Sequence, residues 1–321
     1  DDIRNKEKVF VNHLEENNYL LDEENYSSMV KPHGGKLVNR FYEKKINRND
    51  FKSLKKIQLN KKQLSDIEQI AIGTFSPLEG FMVKSELESV LDTMRLPNGV
   101  IWPLPILLDV DIDKGENIVE GNTVALLDET NDFVGTIEVK EKYYYDKKLL
   151  SEKLYGSTDL KHPGVNIINS LKPVFLGGKI SLFKKIIKDY NKYHLTPKQA
   201  RRLFDEKNWT KVVGFHTRNA IHRAHEFIQL SSLEKGKCDG LFIQPVVGKK
   251  KTGDYNSNII INSYEIMKKR YYPENKTVFG IFSTYSRYAG WRECLFTALC
   301  RKNYGCSHFI VGRDHTGISP H

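Results

Sequence analysis

Apolar residues in the second half of the chain alternate between strand-like and helix-like patterns. Short runs rich in β-branched and aromatic residues predict four buried strands. They lie at residues 211–215, 240–247, 277–282 and 307–311. Amphipathic spacing predicts helices before and between them, at residues 197–206, 222–235, 259–271 and 288–303. Because single helices join successive strands, the pattern predicts an α/β fold with a parallel sheet covered on both faces.

The first half of the chain has shorter and more mixed elements. Helical spacing occurs at residues 65–72 and 83–94, and strand-like runs occur at 101–110, 123–127 and 134–145. Polar turns separate the strand-like runs, so we expect a small α+β domain built on a curled sheet or barrel.

Turn signals near Pro163-Gly164 and Gly177-Gly178 suggest where the two halves meet. The predicted organisation is an N-terminal domain at residues 1–172, a junction at 173–195 and a catalytic α/β domain at 196–321.

The predicted parallel sheet indicates where a ligand binds, because ligands of open α/β sheets lie beyond the carboxyl ends of the strands. The four segments that follow the strands are polar, basic or glycine-bearing. They read HTRN at 216–219, GKKKTGD at 248–254, STYSRYAG at 283–290 and GRDHTG at 312–317. Their convergence predicts an anion pocket.

The first of these segments has the richest chemistry. Asn219 is a suitable helix cap, and a helix that starts there presents free backbone N–H groups and a positive dipole end to phosphate or sulfate. His222 and His225 lie three residues apart on one helical face, and Arg218 can hold a tetrahedral oxyanion with two hydrogen bonds. Two alternatives remain, a zinc site made by the two histidines and histidines with a purely structural role.

Composition narrows the class of protein. The chain has 321 residues, 39% of them hydrophobic, which is enough for a sizeable core and argues against disorder. Its mean hydropathy is −0.50, and no apolar stretch reaches the roughly 20 residues that span a bilayer. The first residues do not resemble a signal peptide, so we expect a soluble, cytoplasmic protein with no membrane partner.

Charge and cysteine content are less selective. The net charge of +10 permits nucleic acid, an acidic membrane surface or small anions as partners, although lysines scattered along the chain explain much of the excess. The four cysteines form no CxxC pair and suit a reducing compartment, and their spacing fits no zinc pattern.

Several common catalytic motifs are absent from the sequence. The chain has no GxxxxGK[ST] loop and no GxGxxG after a strand, so a nucleotide would bind without either. Paired carboxylates and a Ser/His/Asp motif are also missing, so we expect no covalent intermediate.

Two segments resemble the signature motifs of the ATP sulfurylase, or sulfate adenylyltransferase, family. They are GFHTRNAIHRAHE at 214–226 and FIVGRDHTG at 309–317. Four further segments resemble the family in the same order along the chain, at 32–40, 73–82, 173–178 and 288–293.

This resemblance implies a PUA-like β-barrel domain followed by a nucleotidyltransferase domain of the HxxH superfamily. It also implies transfer of the adenylyl group of MgATP to sulfate, giving adenylyl sulfate and pyrophosphate, or the reverse reaction. Magnesium would arrive with ATP rather than in a protein site, no nucleic acid would bind, and the protein would be a homo-oligomer.

The resemblance also implies roles for individual residues. The sulfate ligands would be His216 and Arg218. The catalytic set would be Thr217, Arg218, Asn219, His222, His225 and Arg313. The nucleotide and its phosphates would contact Asn219, His222, His225, Gly312, Arg313, Asp314 and His315.

The chain departs from the family pattern in several respects, among them a somewhat divergent loop at 244–254. Glutamine is more usual than His216, and proline is more usual than Trp291. The chain ends at His321, soon after the second motif, so we expect the family's C-terminal part to be absent. Three alternatives stay open: a nucleotidyltransferase with another acceptor, a nucleic-acid-binding PUA-like protein, and a catalytically silent fragment.

Overall fold

The computed structural model describes residues 28–42, 51–186, 191–247 and 255–312. These residues form two compact units. The mixed-sheet unit is made of residues 38–42, 51–186, 284–300 and 311–312. The parallel-sheet unit is made of residues 28–37, 191–247, 255–283 and 301–310.

The mixed-sheet unit is built on six strands. They are β1 (Lys56–Gln58), β2 (Gly80–Phe81), β3 (Leu108–Val110), β4 (Thr123–Leu127), β5 (Phe133–Tyr144) and β6 (Val174–Leu182). Its helices within the described residues are α1 (Lys61–Ala71), α2 (Lys84–Thr93), α3 (Ile112–Glu116), α4 (Lys147–Tyr155) and α5 (Pro163–Asn169).

The strand order of this sheet is β1-β4-β5-β6-β2, and β3 also pairs with β6. Strands β1 and β4 run parallel, and the other pairs are antiparallel. Because β6 pairs with β5 along its length, residues 174–182 of the predicted junction are part of this sheet.

The strand predicted at residues 101–110 is mostly wrong. Only Leu108–Val110 is a strand. Pro103 and Pro105 have no backbone N–H, so these two positions cannot donate to a neighbouring strand, and Ile101 forms only an isolated bridge with Arg95. The Trp102 N–H instead donates to the Met94 carbonyl at 2.8 Å.

The parallel-sheet unit confirms the strand and helix alternation expected from the sequence. Its strands are β7 (Val212–Thr217), β8 (Gly240–Val247), β9 (Thr277–Phe279), β10 (Phe282–Ser283) and β11 (His308–Phe309). Its helices are α6 (Pro197–Glu206), α7 (Arg223–Lys235) and α8 (Ser257–Arg270). Helix α9 (Gly290–Asn303) begins in the mixed-sheet unit, and its last three residues belong to the parallel-sheet unit. Two short 3₁₀ helices lie at Asn191–Tyr193 and Glu274–Lys276.

All strand pairs of this sheet are parallel, in the order β10-β8-β7-β11 with β9 also beside β8. The single strand predicted at residues 277–282 is therefore two short strands along one edge of β8. At the break, the Gly280 N–H still donates to the Ile243 carbonyl at 2.9 Å.

Both faces of the parallel sheet are covered, as expected. All eight residues of β8 are buried. Side chains that alternate along a strand point to opposite faces, and Leu241 and Ile243 belong to one core cluster while Phe242 belongs to another. This burial fixes the register of β8 against β7 and so fixes which residues stand at the carboxyl end of β7.

Arg201 of α6 joins distant parts of the parallel-sheet unit. Its side chain is fully buried. The guanidinium donates to the carbonyls of Val30 at 2.9 Å, Lys302 at 2.7 Å and Asn303 at 2.7 Å. It therefore ties residues near 30 to the last turn of α9.

We expect Arg201→Ala to lower the free energy of unfolding by about 3 to 5 kcal/mol, because it leaves one buried and two partly buried carbonyls without their donor. Urea unfolding measures the change. The matched control is Arg202→Ala, which removes a partly exposed pair with Glu206 one helical turn away and should cost less than about 1 kcal/mol. Equal losses in the two variants would contradict this account.

Candidate active site

The turn between β7 and α7 gathers the predicted site residues of the first motif. His216 and Thr217 end β7, Arg218 and Asn219 form a bend, and His222 immediately precedes the first residue of α7. The side chain of Thr217 is 6% exposed, whereas Asn219 and His222 are exposed. The segment thus leads from the sheet interior to an open helix end.

The predicted helix cap at Asn219 is wrong, because His222 takes that position. The backbone of His222 is extended, with φ −142° and ψ 170°, and its side chain makes no capping hydrogen bond. The Asn219 N–H instead donates to the Thr217 hydroxyl at 3.1 Å, which stabilises the bend before the helix. With no side-chain cap, the first N–H groups of α7 remain suited to an anion.

Helix α8 contacts this turn and stabilises it. The Ile221 N–H donates to the Ser263 hydroxyl at 3.3 Å. The next residue along α8, Tyr264, is 1% exposed, and its hydroxyl lies beside Thr217 and Gln229. Burial raises the pKa of Tyr264, so the phenol stays neutral. Neither α8 residue was identified from the sequence, because each lies more than 40 positions from the turn that it supports.

The rings of His222 and His225 stack, with centroids 3.8 Å apart and planes inclined by 27°. Partial burial, and secondly the neighbouring His222, lower the pKa of His225 to about 4. At neutral pH, His225 is therefore an uncharged ring with a single N–H, which is directed at the Ala220 backbone.

His216 faces a buried arginine. Arg301, in the last turn of α9, is fully buried, and its Nη2 lies 2.9 Å from His216 Nδ1. The same Nη2 donates to the Gln244 carbonyl at 3.0 Å. His216 and Gln244 are direct neighbours across β7 and β8. Arg301 was missed in the sequence because only the fold brings it to this motif.

The other predicted segments contribute less to the described structure. Gly312 is exposed and belongs to the mixed-sheet unit, and Arg313, Asp314 and His315 lie outside the described residues. The segment at 248–254 also lies outside them. The predicted convergence of four segments therefore stays a prediction.

In the third segment, residues 284–290 belong to the mixed-sheet unit. Arg287 forms a 2.5 Å ion pair with Asp66, and both side chains are less than 10% exposed. The Tyr285 hydroxyl donates to the other oxygen of Asp66 at 2.7 Å. Within the described parts of the chain, no group of three or more His, Cys, Asp or Glu side chains could hold a metal ion, and no helix is long and apolar enough to cross a membrane.

Comparison with known proteins identifies the family. The family profile described as ATP-sulfurylase matches residues 191–320, and the PUA-like domain profile matches residues 30–185. A sulfate adenylyltransferase of Halothermothrix orenii is 44% identical over 295 residues, which are 90% of this chain and 76% of that protein. This chain belongs to the ATP-sulfurylase family. These matches confirm the family resemblance that we drew from the motifs. They also confirm the predicted fold class, a PUA-like domain followed by an α/β domain.

Other relatives agree with this membership in the ATP-sulfurylase family. A sulfate adenylyltransferase of Trichodesmium erythraeum is 45% identical over 294 residues, covering 90% of this chain and 75% of that protein. A solved structure titled as a hexameric APS kinase from Thiobacillus denitrificans superposes with a TM-score of 0.73 at 23% identity. That match covers 90% of this chain and about half, 54%, of the other, and at this identity it shows the fold.

The lowered pKa of His225 predicts a pH dependence of stability. Between its ordinary pKa of 6.5 and the folded value of about 4, the unfolded chain binds the proton more readily, so stability falls as the pH falls. In buffers without phosphate or sulfate, we expect this residue to account for about 1 kcal/mol of the loss between pH 7 and pH 5, allowing for its partial exposure.

Urea unfolding of the parent and of His225→Gln at both pH values measures this contribution. The variant should lose less stability than the parent on acidification, because glutamine does not titrate. The same pH dependence in both proteins would contradict the assignment.

Proposed function

We propose that the protein transfers the adenylyl group of MgATP to sulfate, giving adenylyl sulfate and pyrophosphate. The observation that carries the proposal is the turn after β7. There, Arg218, the stacked pair of His222 and His225, and the uncapped start of α7 occur within eight residues. These groups are donors suited to two anions, an oxyanion and a polyphosphate. The family's curated relatives are named for this reaction.

The chemistry requires positioning more than proton transfer. A sulfate oxygen attacks the α-phosphorus of ATP in line with the bond to the bridging oxygen, and that bond breaks as pyrophosphate leaves with its electron pair. Sulfate needs no deprotonation, so the site needs no general base. Its task is to align the two anions and to neutralise charge that develops on the leaving group.

We assign His216 and Arg218 to sulfate, and Asn219, His222 and His225 to the nucleotide phosphates. Thr217 completes the turn by accepting the Asn219 N–H. A neutral His225 costs less to bury than a cation. Gly312, Arg313, Asp314 and His315 keep their proposed role at the phosphates from the family motif. Magnesium enters as the ATP complex.

A nucleotidyltransferase with a different acceptor is the alternative reading, since the same donors would suit other phosphate-bearing substrates. Chlorate and selenate distinguish the two readings, because a sulfate pocket admits both anions. Competition by either anion against sulfate supports the proposal, and the absence of competition favours another acceptor.

We further propose that the protein acts in the cytoplasm as a homo-oligomer, in keeping with the family resemblance. Exposed apolar side chains on α7 support the proposed homo-oligomer, since Phe227 is 70% exposed and Ile228 is 42% exposed. Light scattering from the intact protein tests it, and a monomer at micromolar concentration would contradict it.

Arg218→Ala and His222→Ala should each reduce adenylyl transfer about 10²- to 10³-fold, because each removes a preorganised donor to a reacting anion. The assay is ATP formation from adenylyl sulfate and pyrophosphate with Mg²⁺. Arg202→Ala, in α6, is the control for loss of a positive charge and should retain parental activity. Near-parental rates in both site variants would contradict the residue assignment.

A further inference from the structure

We propose that Arg301 is a positioning residue for sulfate binding, which holds His216 as a neutral ring with its proton on Nε2. The inference rests on the proposed function, because it concerns the sulfate side of that site. It assigns a role to a buried residue outside the two sequence motifs. It also explains how histidine can replace the glutamine that is more usual in the family at position 216.

The hydrogen bond between the two side chains determines the direction of donation. A guanidinium has N–H donors and no acceptor, so the 2.9 Å contact from Arg301 Nη2 requires His216 Nδ1 to accept. An accepting Nδ1 has no hydrogen, and the proton of the neutral ring is therefore on Nε2. An imidazolium would direct a second N–H at the guanidinium and would place two positive charges together.

The contacts of the Arg301 side chain fix its position, so that it can determine the tautomer of His216. Its side chain is fully buried, its Nη2 also donates to the Gln244 carbonyl at 3.0 Å, and its guanidinium carbon lies 4.3 Å from the centre of the Phe282 ring. Gln244 is itself fixed, because its Nε2 donates to the Ile281 carbonyl at 3.0 Å. The guanidinium thus contacts β7, β8 and β10 together.

Gly214 allows Arg301 to reach His216. Residues two apart in a strand point to the same face, so Gly214 and His216 share one face of β7. A Cβ at Gly214 would lie 2.9 Å from Arg301 Cγ and 3.1 Å from Cys306 Sγ. Any side chain at position 214 would therefore displace the aliphatic part of Arg301. Glycine at the start of the family motif thus leaves room for this arginine.

The neighbouring titratable group does not compete for the arginine. Among the described titratable and charged groups, Cys306 from the turn before β11 interacts with Arg301, and Arg201 from α6 also interacts with Cys306. Burial raises the pKa of the Cys306 thiol to about 12, so this group is a neutral thiol at working pH. The guanidinium therefore keeps its hydrogen bonds to His216 and Gln244 across the neutral range.

A glutamine at position 216 would reproduce the same polarity. Its Oε1 could accept from Arg301 and its Nε2 could donate to sulfate, as Nδ1 and Nε2 of the histidine do. Arg301 would then orient either side chain in the same way. His216→Gln should accordingly lose less than about tenfold in activity.

Kinetics of Arg301→Met, which keeps length but removes the donors, test the proposal in the intact protein. We expect KM for sulfate to rise about tenfold at pH 8 with KM for ATP changed by less than about twofold, since one oriented hydrogen bond to sulfate is lost. In this variant, KM for sulfate should fall again between pH 8 and pH 6, because a released ring can take a proton and attract the anion. The parent should not show this dependence.

The double variant His216→Gln with Arg301→Met distinguishes a role of Arg301 in positioning His216 from a general role in packing. Glutamine does not titrate, so the pH dependence of the sulfate KM should vanish. A pH dependence that persists in the double variant would overturn the proposal. Equal increases in KM for ATP and for sulfate in Arg301→Met would overturn it as well.

Nitrogen-15 NMR of the parent tests the tautomer without any variant and without turnover. His216, assigned by its loss in His216→Gln, should show an unprotonated Nδ1 and a protonated Nε2 at pH 7. A proton on Nδ1 would overturn the proposal whatever the activity. A parent that has the expected tautomer but forms no ATP from adenylyl sulfate and pyrophosphate would contradict the proposed function and leave the arrangement of Arg301 and His216 intact.

Discussion

The buried guanidinium of Arg301 is the constraint on which the candidate site depends. A charge in a protein interior is tolerated only where hydrogen bonds and polarisable groups replace water, and here a histidine nitrogen, a backbone carbonyl and an aromatic face are among the groups that do so. Because these partners stand on three strands and the arginine on a helix, the charge fixes their mutual positions. The turn that contains Arg218 starts from this fixed point and is held on its other side by hydroxyl groups of α8.

The parallel sheet brings the partners of Arg301 together. A strand buried on both faces cannot shift its register without exposing apolar side chains, so β8 holds Gln244 beside His216. The stacked histidines then occupy the open start of α7, where backbone N–H groups lack a side-chain cap. Donors thus come from two sources, side chains placed by strand register and backbone groups placed by a helix end.

The sequence predicted the bounds of helices and strands correctly where residues within or next to the element determine them. Helix α6 begins at Pro197 because Thr196 caps it, and the strand Gly240–Val247 is apolar except for Gln244, so both bounds were correct. The cap at Asn219 failed because Thr217 and Ser263 satisfy nearby N–H groups, and one of these partners is remote in sequence. Arg301 was missed for the same reason, since it lies 85 positions from His216 and its own helix has no feature that points there.

The division of the chain into two units has a consequence for dissecting the protein. The family profiles meet between residues 185 and 191, which suggests that either half could be produced separately. However, Arg201 bonds to the carbonyl of Val30, and Met29 packs in the core with Phe204 and Tyr304. A fragment starting near residue 191 would leave one arginine hydrogen bond unmade and an apolar gap in that core. The catalytic half is thus encoded in separate pieces of sequence, and independent folding requires the residues near 30 as well.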